Sequence, residues 1–191
     1  MKLTRIVSAL ALMLSVGGIA NAQVVPAISI PRPEIFTGVT NPKITPENMN
    51  RNICRKGWST SSIRPRSSYT TALKLTELHT LEYTKSNPLP RVKTASGTNT
   101  RPDTRKCVTR SANPSCYEED HLISLELGGH PTDPANLWPE PWFGAWNARD
   151  KDKLENRLHA MVCSGDILLR DAQRAIAADW VAAFKMYVGE N

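Results

Sequence analysis

The run Asp120-His121-Leu122-Ile123-Ser124-Leu125-Glu126-Leu127-Gly128-Gly129, followed after six residues by Asn136-Leu137-Trp138-Pro139, decides the reading of this chain. An acidic residue stands beside a histidine at one strand-like apolar run, a glycine pair turns the chain, and an asparagine opens a second apolar run. The carboxylate is a hard oxygen ligand for a cation, and the imidazole takes up a proton near neutral pH. Hydrolysis of a phosphodiester needs both functions: a deprotonated water in line with the leaving oxygen, and positive charge on the phosphate. Adjacent side chains of a regular strand point to opposite faces. Asp120 and His121 therefore approach one phosphate only at a strand end or a bulge.

The run resembles the HNH endonuclease motif of the ββα-metal (His-Me finger) nucleases, in which D-H-[LI]-x-x-L-x-x-G-G is followed by a short loop and N-L. The likeness covers residues 117–163, about a quarter of the chain. It implies a small ββα-metal (HNH) core; with the additional packed helices and the disulfide staples read from apolar spacing and cysteine count, the expected fold is α+β. It also implies a metal-dependent endonuclease with His121 as the catalytic general base and Asp120 as a metal ligand. Asn136, Gly128 and Gly129 are the structural support of the motif.

Many relatives place a second ligand, a histidine, at the start of the next helix in an H-x-x-K setting, and some use asparagine. Asn147, 26 residues after His121 and one turn before Lys151, stands at that place. Its other reading is a plain helix N-cap, and Asp150 and Asn156 are the substitute ligands. A carboxylate with an amide oxygen favours Mg²⁺ and accepts Mn²⁺. Glu118 and Glu119 either enlarge the acidic pocket or face solvent. His79, His130 and His159 are read as surface residues.

The chain ends and the composition set the context. Lys2 and Arg5, an apolar stretch from Ile6 to Val16 and Ala20-Asn21-Ala22 read as a cleavable signal peptide over residues 1–22. The apolar stretch is too short to span a bilayer. Cleavage leaves 169 residues with 22 basic and 18 acidic side chains, a formal charge of +4. That modest excess suits a polyanion without demanding one. Export to the periplasm or medium explains the even count of four cysteines, Cys54, Cys107, Cys116 and Cys163. Three pairings are open. The one adopted is Cys107–Cys116, closing a short loop bent by Asn113-Pro114, with Cys54–Cys163. No C-x-x-C pair supports a zinc site.

Residues 23–50 carry five prolines and read as an extended leader that packs on the domain or stays mobile, and residues 51–191 as a single domain. Helices are expected at Tyr69 to Leu78 behind Ser67-Ser68, from Asn147 to Cys163, and from Arg170 to Tyr187. Strands are expected at Tyr117 to Leu127 and at Leu137-Trp138, with Pro139 and Pro141 in the connection onward. Residues 85–105 read as a basic surface loop.

On the second helix Arg149, Lys151, Lys153 and Arg157 alternate with acids, as surface pairing produces. Arg149 and Lys151, nearest the motif, are the expected phosphate contacts. Such contacts position a backbone and carry no base information. The expected partner is therefore nucleic acid, DNA first and RNA second, cut with little sequence specificity by a monomer without a membrane span. The rival is a secreted disulfide-bonded binding protein on a catalytically inactive HNH scaffold, kept open by the missing third histidine. A hydrolase of another phosphodiester or of a cell-wall polymer is a third reading, with no paired-carboxylate motif behind it.

Overall fold

A computed structural model of the chain describes residues 34–80 and 113–189, together with Pro31 and Cys107. The expected signal peptide, the start of the leader and the basic loop at 85–105 lie outside the described residues. Among these residues the regular elements are α1 (Ser67–Thr80), β1 (Tyr117–His121), β2 (Leu137–Pro141), α2 (Ala148–Ser164) and α3 (Leu169–Tyr187). The fold of the described residues is α+β, with one antiparallel hairpin and three helices.

In the hairpin Glu118 stands opposite Glu140, Asp120 opposite Trp138 and His121 opposite Leu137. The flanking bonds, Leu122 N–H to Asn136 O at 2.8 Å and Trp142 N–H to Cys116 O at 2.9 Å, turn the even-numbered amides of β2 toward β1. Pro139 and Pro141 therefore lie at positions whose missing N–H faces away from the partner strand. They belong to β2 and not, as expected, to the connection after it. The first strand is shorter than expected, ending at His121 instead of Leu127. Beyond it the Asn136 side chain takes over the amide of Ile123, and the chain closes a 3-10 turn over Leu125–Leu127 that ends on Gly128 at φ 73°.

Leu154, Leu158 and Val162 of α2 meet Ala172, Ile176, Trp180 and Phe184 of α3 in the main core, joined by Ile53, Ile123 and Leu127. Buried apolar area of this kind is the main favourable term in folding. Gly165, in the left-handed region, ends α2, and its N–H and that of Asp166 bond back to the last turn. Within α3, Asp179 departs from helical geometry and its carboxylate accepts from the N–H of Ala182 at 2.9 Å, recapping the last turns.

Cys54 is bonded to Cys163 and Cys107 to Cys116, the pairing adopted from the sequence. The first bond ties the segment around Ile53 to the end of α2. The segment before residue 51 packs as well: Phe36 is buried with Leu122 and Trp138, and Thr40 forms a bridge with Gly129. No helix of the described residues is long and apolar enough to cross a membrane.

Candidate active site

Asn136 is fully buried and all four of its hydrogen-bonding positions are used. Its Oδ1 accepts from the N–H of Ile123 at 2.9 Å and of Val39 at 3.2 Å, and its Nδ2 donates to Ile123 O at 3.1 Å and His130 O at 3.0 Å. One side chain thus clasps the end of β1, the loop before β2 and the N-terminal segment. Gly129 sits beneath it with no room for a side chain, since a Cβ there would lie 1.7 Å from Ile123 O. The glycine pair serves two purposes: Gly128 supplies the positive φ and Gly129 the close approach.

The clasp holds the loop that holds His121. This imidazole is buried at the end of β1, and its Nε2 lies 3.0 Å from Pro131 O. A carbonyl oxygen only accepts, so Nε2 carries the proton and Nδ1 of the neutral ring keeps the lone pair. No hydrogen bond from a described residue engages Nδ1. Burial lowers the proton affinity of His121, and the charges of Arg64 and Lys151 lower it further, against Asp120 and the Pro131 bond, which raise it. The net shift is downward, which keeps the ring neutral, with its lone pair available, at pH 7. Arg64, an exposed residue just before α1, had no motif to mark it in the sequence.

Asp120 leaves β1 on the opposite face. Its Oδ2 accepts from Lys151 Nζ at 2.6 Å, and the same ammonium donates to His121 O at 2.8 Å and to Glu155. Three protons meet three acceptors, and the lysine side chain is 0% exposed. Lys151 is therefore not placed to contact a phosphate, contrary to the sequence expectation. Burial opposes ionisation of both partners, but the pairing prevails, holding Asp120 below the usual aspartate range and Lys151 above the usual lysine range.

Two further acids share that face. Glu118 and Glu140 are cross-strand neighbours, and Glu140 is buried. Burial and then Asp120 push Glu118 up to about 9 and Glu140 well above the usual range. Burial likewise raises Glu155 to about 8, despite the nearby ammonium. Glu140 escaped the sequence reading because it lies 22 residues from Glu118, and only the hairpin register brings the two together.

Asn147 caps α2. Its Oδ1 accepts from the N–H of Arg149 at 3.1 Å, and its Nδ2 donates to Gly144 O at 3.1 Å. Its amide is thus engaged at the helix start, the N-cap role that was its other reading. Of the substitutes, Asp150 pairs with Lys153 at 2.9 Å, and Asn156 bonds its own helix at Asp152 O. Arg149 donates to Trp142 O at 3.3 Å and lies 5.2 Å over the Trp142 ring.

The other histidines are engaged or peripheral. His130 Nδ1 accepts from the N–H of Asp133 at 3.0 Å, His159 Nε2 lies 2.9 Å from Ile53 O, and His79 is exposed. His159 comes within ligand spacing of Cys54 and Cys163, but those sulfurs are joined to each other.

On the His121 face, α1 lies over the hairpin. Lys74 Nζ donates to Tyr117 O at 2.8 Å, and Tyr69 donates its hydroxyl to Thr132 O at 2.7 Å. Glu77 of α1 meets Glu119, and burial raises the first to about 7 and the second, with Glu77 adding to it, to about 10. The two acids are favoured with a proton between them.

No protein-family model matches the chain, and neither the curated proteins nor the solved structures return a match.

Proposed function

We propose that the protein is an exported endonuclease of the HNH kind, hydrolysing phosphodiester bonds of DNA, and of RNA as a second substrate, with His121 as general base. The observation that carries this reading is the bond between His121 Nε2 and Pro131 O at the turn of a strand–loop–strand–helix unit. It fixes the tautomer that leaves Nδ1 free to take a proton from water. The proton passes from water to Nδ1, the oxygen attacks phosphorus, and the bond to the leaving sugar oxygen breaks as that oxygen takes up a proton from solvent to become a hydroxyl. The imidazolium formed keeps its Pro131 bond.

Positive charge for the phosphate comes from Arg64, whose field reaches His121, and from Arg149 at the α2 N-terminus, where backbone N–H groups also favour an anion. Neither group reads bases, which accords with weak sequence preference. Of the two expected metal ligands, the Asn147 amide is engaged in capping α2, and Asp120 Oδ2 accepts from Lys151. Two disulfides accord with an oxidising compartment, and residues 1–22 with export.

One observation favours the second reading, a secreted binding protein on an inactive scaffold: an ammonium, that of Lys151, already satisfies Asp120. Nicking of supercoiled plasmid in Mg²⁺, Mn²⁺ or EDTA separates the two. The hydrolase reading expects relaxed circles from the wild type and a loss of about 100-fold or more in His121→Ala. Undiminished cleavage by that variant removes His121 as the base. Absence of cleavage under every condition, on RNA as well, favours the binding protein.

A further inference from the structure

We propose that Glu118, Asp120 and Glu140 form a binding site for one divalent cation on the α2-facing side of the hairpin, a ligand set that leaves out Asn147. The three residues each offer a carboxylate oxygen, and these atoms all lie within 4.8 Å of one another. Oxygens bound to a common Ca²⁺ stand about 2.3–2.6 Å from it, so any two are at most about 5 Å apart, which this cluster satisfies. All three ligands are hard oxygens, the chemistry of Ca²⁺, Mg²⁺ and Mn²⁺, with no nitrogen or sulfur to select zinc or copper.

The cluster is more than a gathering of surface acids. Glu140 is 1% exposed, and its Oε1 has no hydrogen-bond partner. A buried carboxylate oxygen left in that state is costly unless a cation or proton meets it. Glu118 stands directly opposite Glu140 in the register, a placement that penalises two like charges. The ammonium at hand cannot serve them, since the three protons of Lys151 go to Asp120 Oδ2, His121 O and Glu155. With Glu118, Asp120, Glu140 and Glu155 ionised against Lys151, the cluster carries a formal charge of −3, and a divalent ion reduces it to −1. Lys151 bonds Oδ2 of Asp120, and the ion would share that carboxylate with the ammonium.

This site does not depend on the hydrolase reading. It predicts binding whether or not any phosphodiester is cut, and the experiment reads binding alone. EDTA-stripped, disulfide-intact protein is titrated with CaCl₂, MgCl₂ and MnCl₂ by calorimetry, with thermal melts in parallel. The expected result is one ion per chain for at least one metal and a raised melting temperature. Glu140→Gln, nearly the same shape, is expected to weaken binding at least tenfold, while Asn147→Ala leaves it within twofold. If Glu140→Gln lacks a cooperative melt, Glu118→Gln carries the same expectation. The proposal is overturned if no ion binds the wild type, if both glutamine variants bind as tightly as it does, or if Asn147→Ala weakens binding as much as Glu140→Gln.

Discussion

Replacing Asn136 with alanine removes a side chain that serves four backbone groups at once. The N–H and C=O of Ile123 lose their partners at 2.9 Å and 3.1 Å, and both are buried. Each buried group left unsatisfied costs about 1–3 kcal/mol. The N–H of Val39 and the C=O of His130 are partly buried. Water can replace their lost bonds, so each contributes only about 0.5–1 kcal/mol. The expected loss is therefore about 5 kcal/mol, a large share of the about 5–15 kcal/mol that holds a domain together.

Equilibrium unfolding in urea, followed by tryptophan fluorescence, measures it, and the melting temperature should fall by about 10–20 °C for a chain of this size. Asn136→Asp provides the control. It keeps both acceptor roles, loses both donor roles and buries a charge, so it should cost at least as much. A loss below about 1 kcal/mol for the alanine variant, well under the cost of one unsatisfied pair, refutes the clasp. Because the clasp also positions Pro131 O, the variant should lose cleavage activity even where it is still folded.

Further outcomes follow from the same structure. Lys151→Met leaves Asp120 and Glu155 without their buried partner, and stability in EDTA at pH 8 should fall by about 3–5 kcal/mol; a change under about 1 kcal/mol in urea unfolding contradicts the pairing. Glu77, raised by burial to about 7, keeps its proton in the folded chain where the unfolded chain, titrating near 4.3, has released it. Its contribution is full below about pH 4 and is lost as pH rises through about 7, by about 4 kcal/mol. Glu77→Gln should remove that part of the decline between pH 5 and pH 8, and identical slopes for variant and wild type count against it. The Cys54–Cys163 bond joins positions 109 residues apart, so replacing both cysteines with serine should cost about 2–5 kcal/mol. An unchanged urea midpoint overturns that assignment.

Much of the scaffold was legible because it rests on local rules. Leu154, Leu158 and Val162 repeat at helical spacing, and Asn147 and Gly165 bracket α2. The strand ends were less legible, because tertiary contacts set them. Nothing local says that Asn136 will take over the amide of Ile123 and stop β1 at His121. Pro139 and Pro141 read as breakers until the register turns their missing donors away from β1.

The chemistry of the Asp120 face was the least visible. Glu118 and Glu140 meet only through the hairpin, and Lys151, in an alternating run of charges, read as a phosphate contact. One signal was nevertheless present: Lys151 falls on the same stripe as Leu154, Leu158 and Val162, and a charged residue on an apolar stripe is there to be paired.

The central claim is that His121 Nδ1 removes the proton from the attacking water, and chemical rescue tests it most directly. His121→Gly should lose cleavage of plasmid by about 100-fold or more. Added imidazole should restore it, with a rate that rises with the concentration of the neutral base. Cleavage by His121→Gly at the wild-type rate without imidazole would contradict the account.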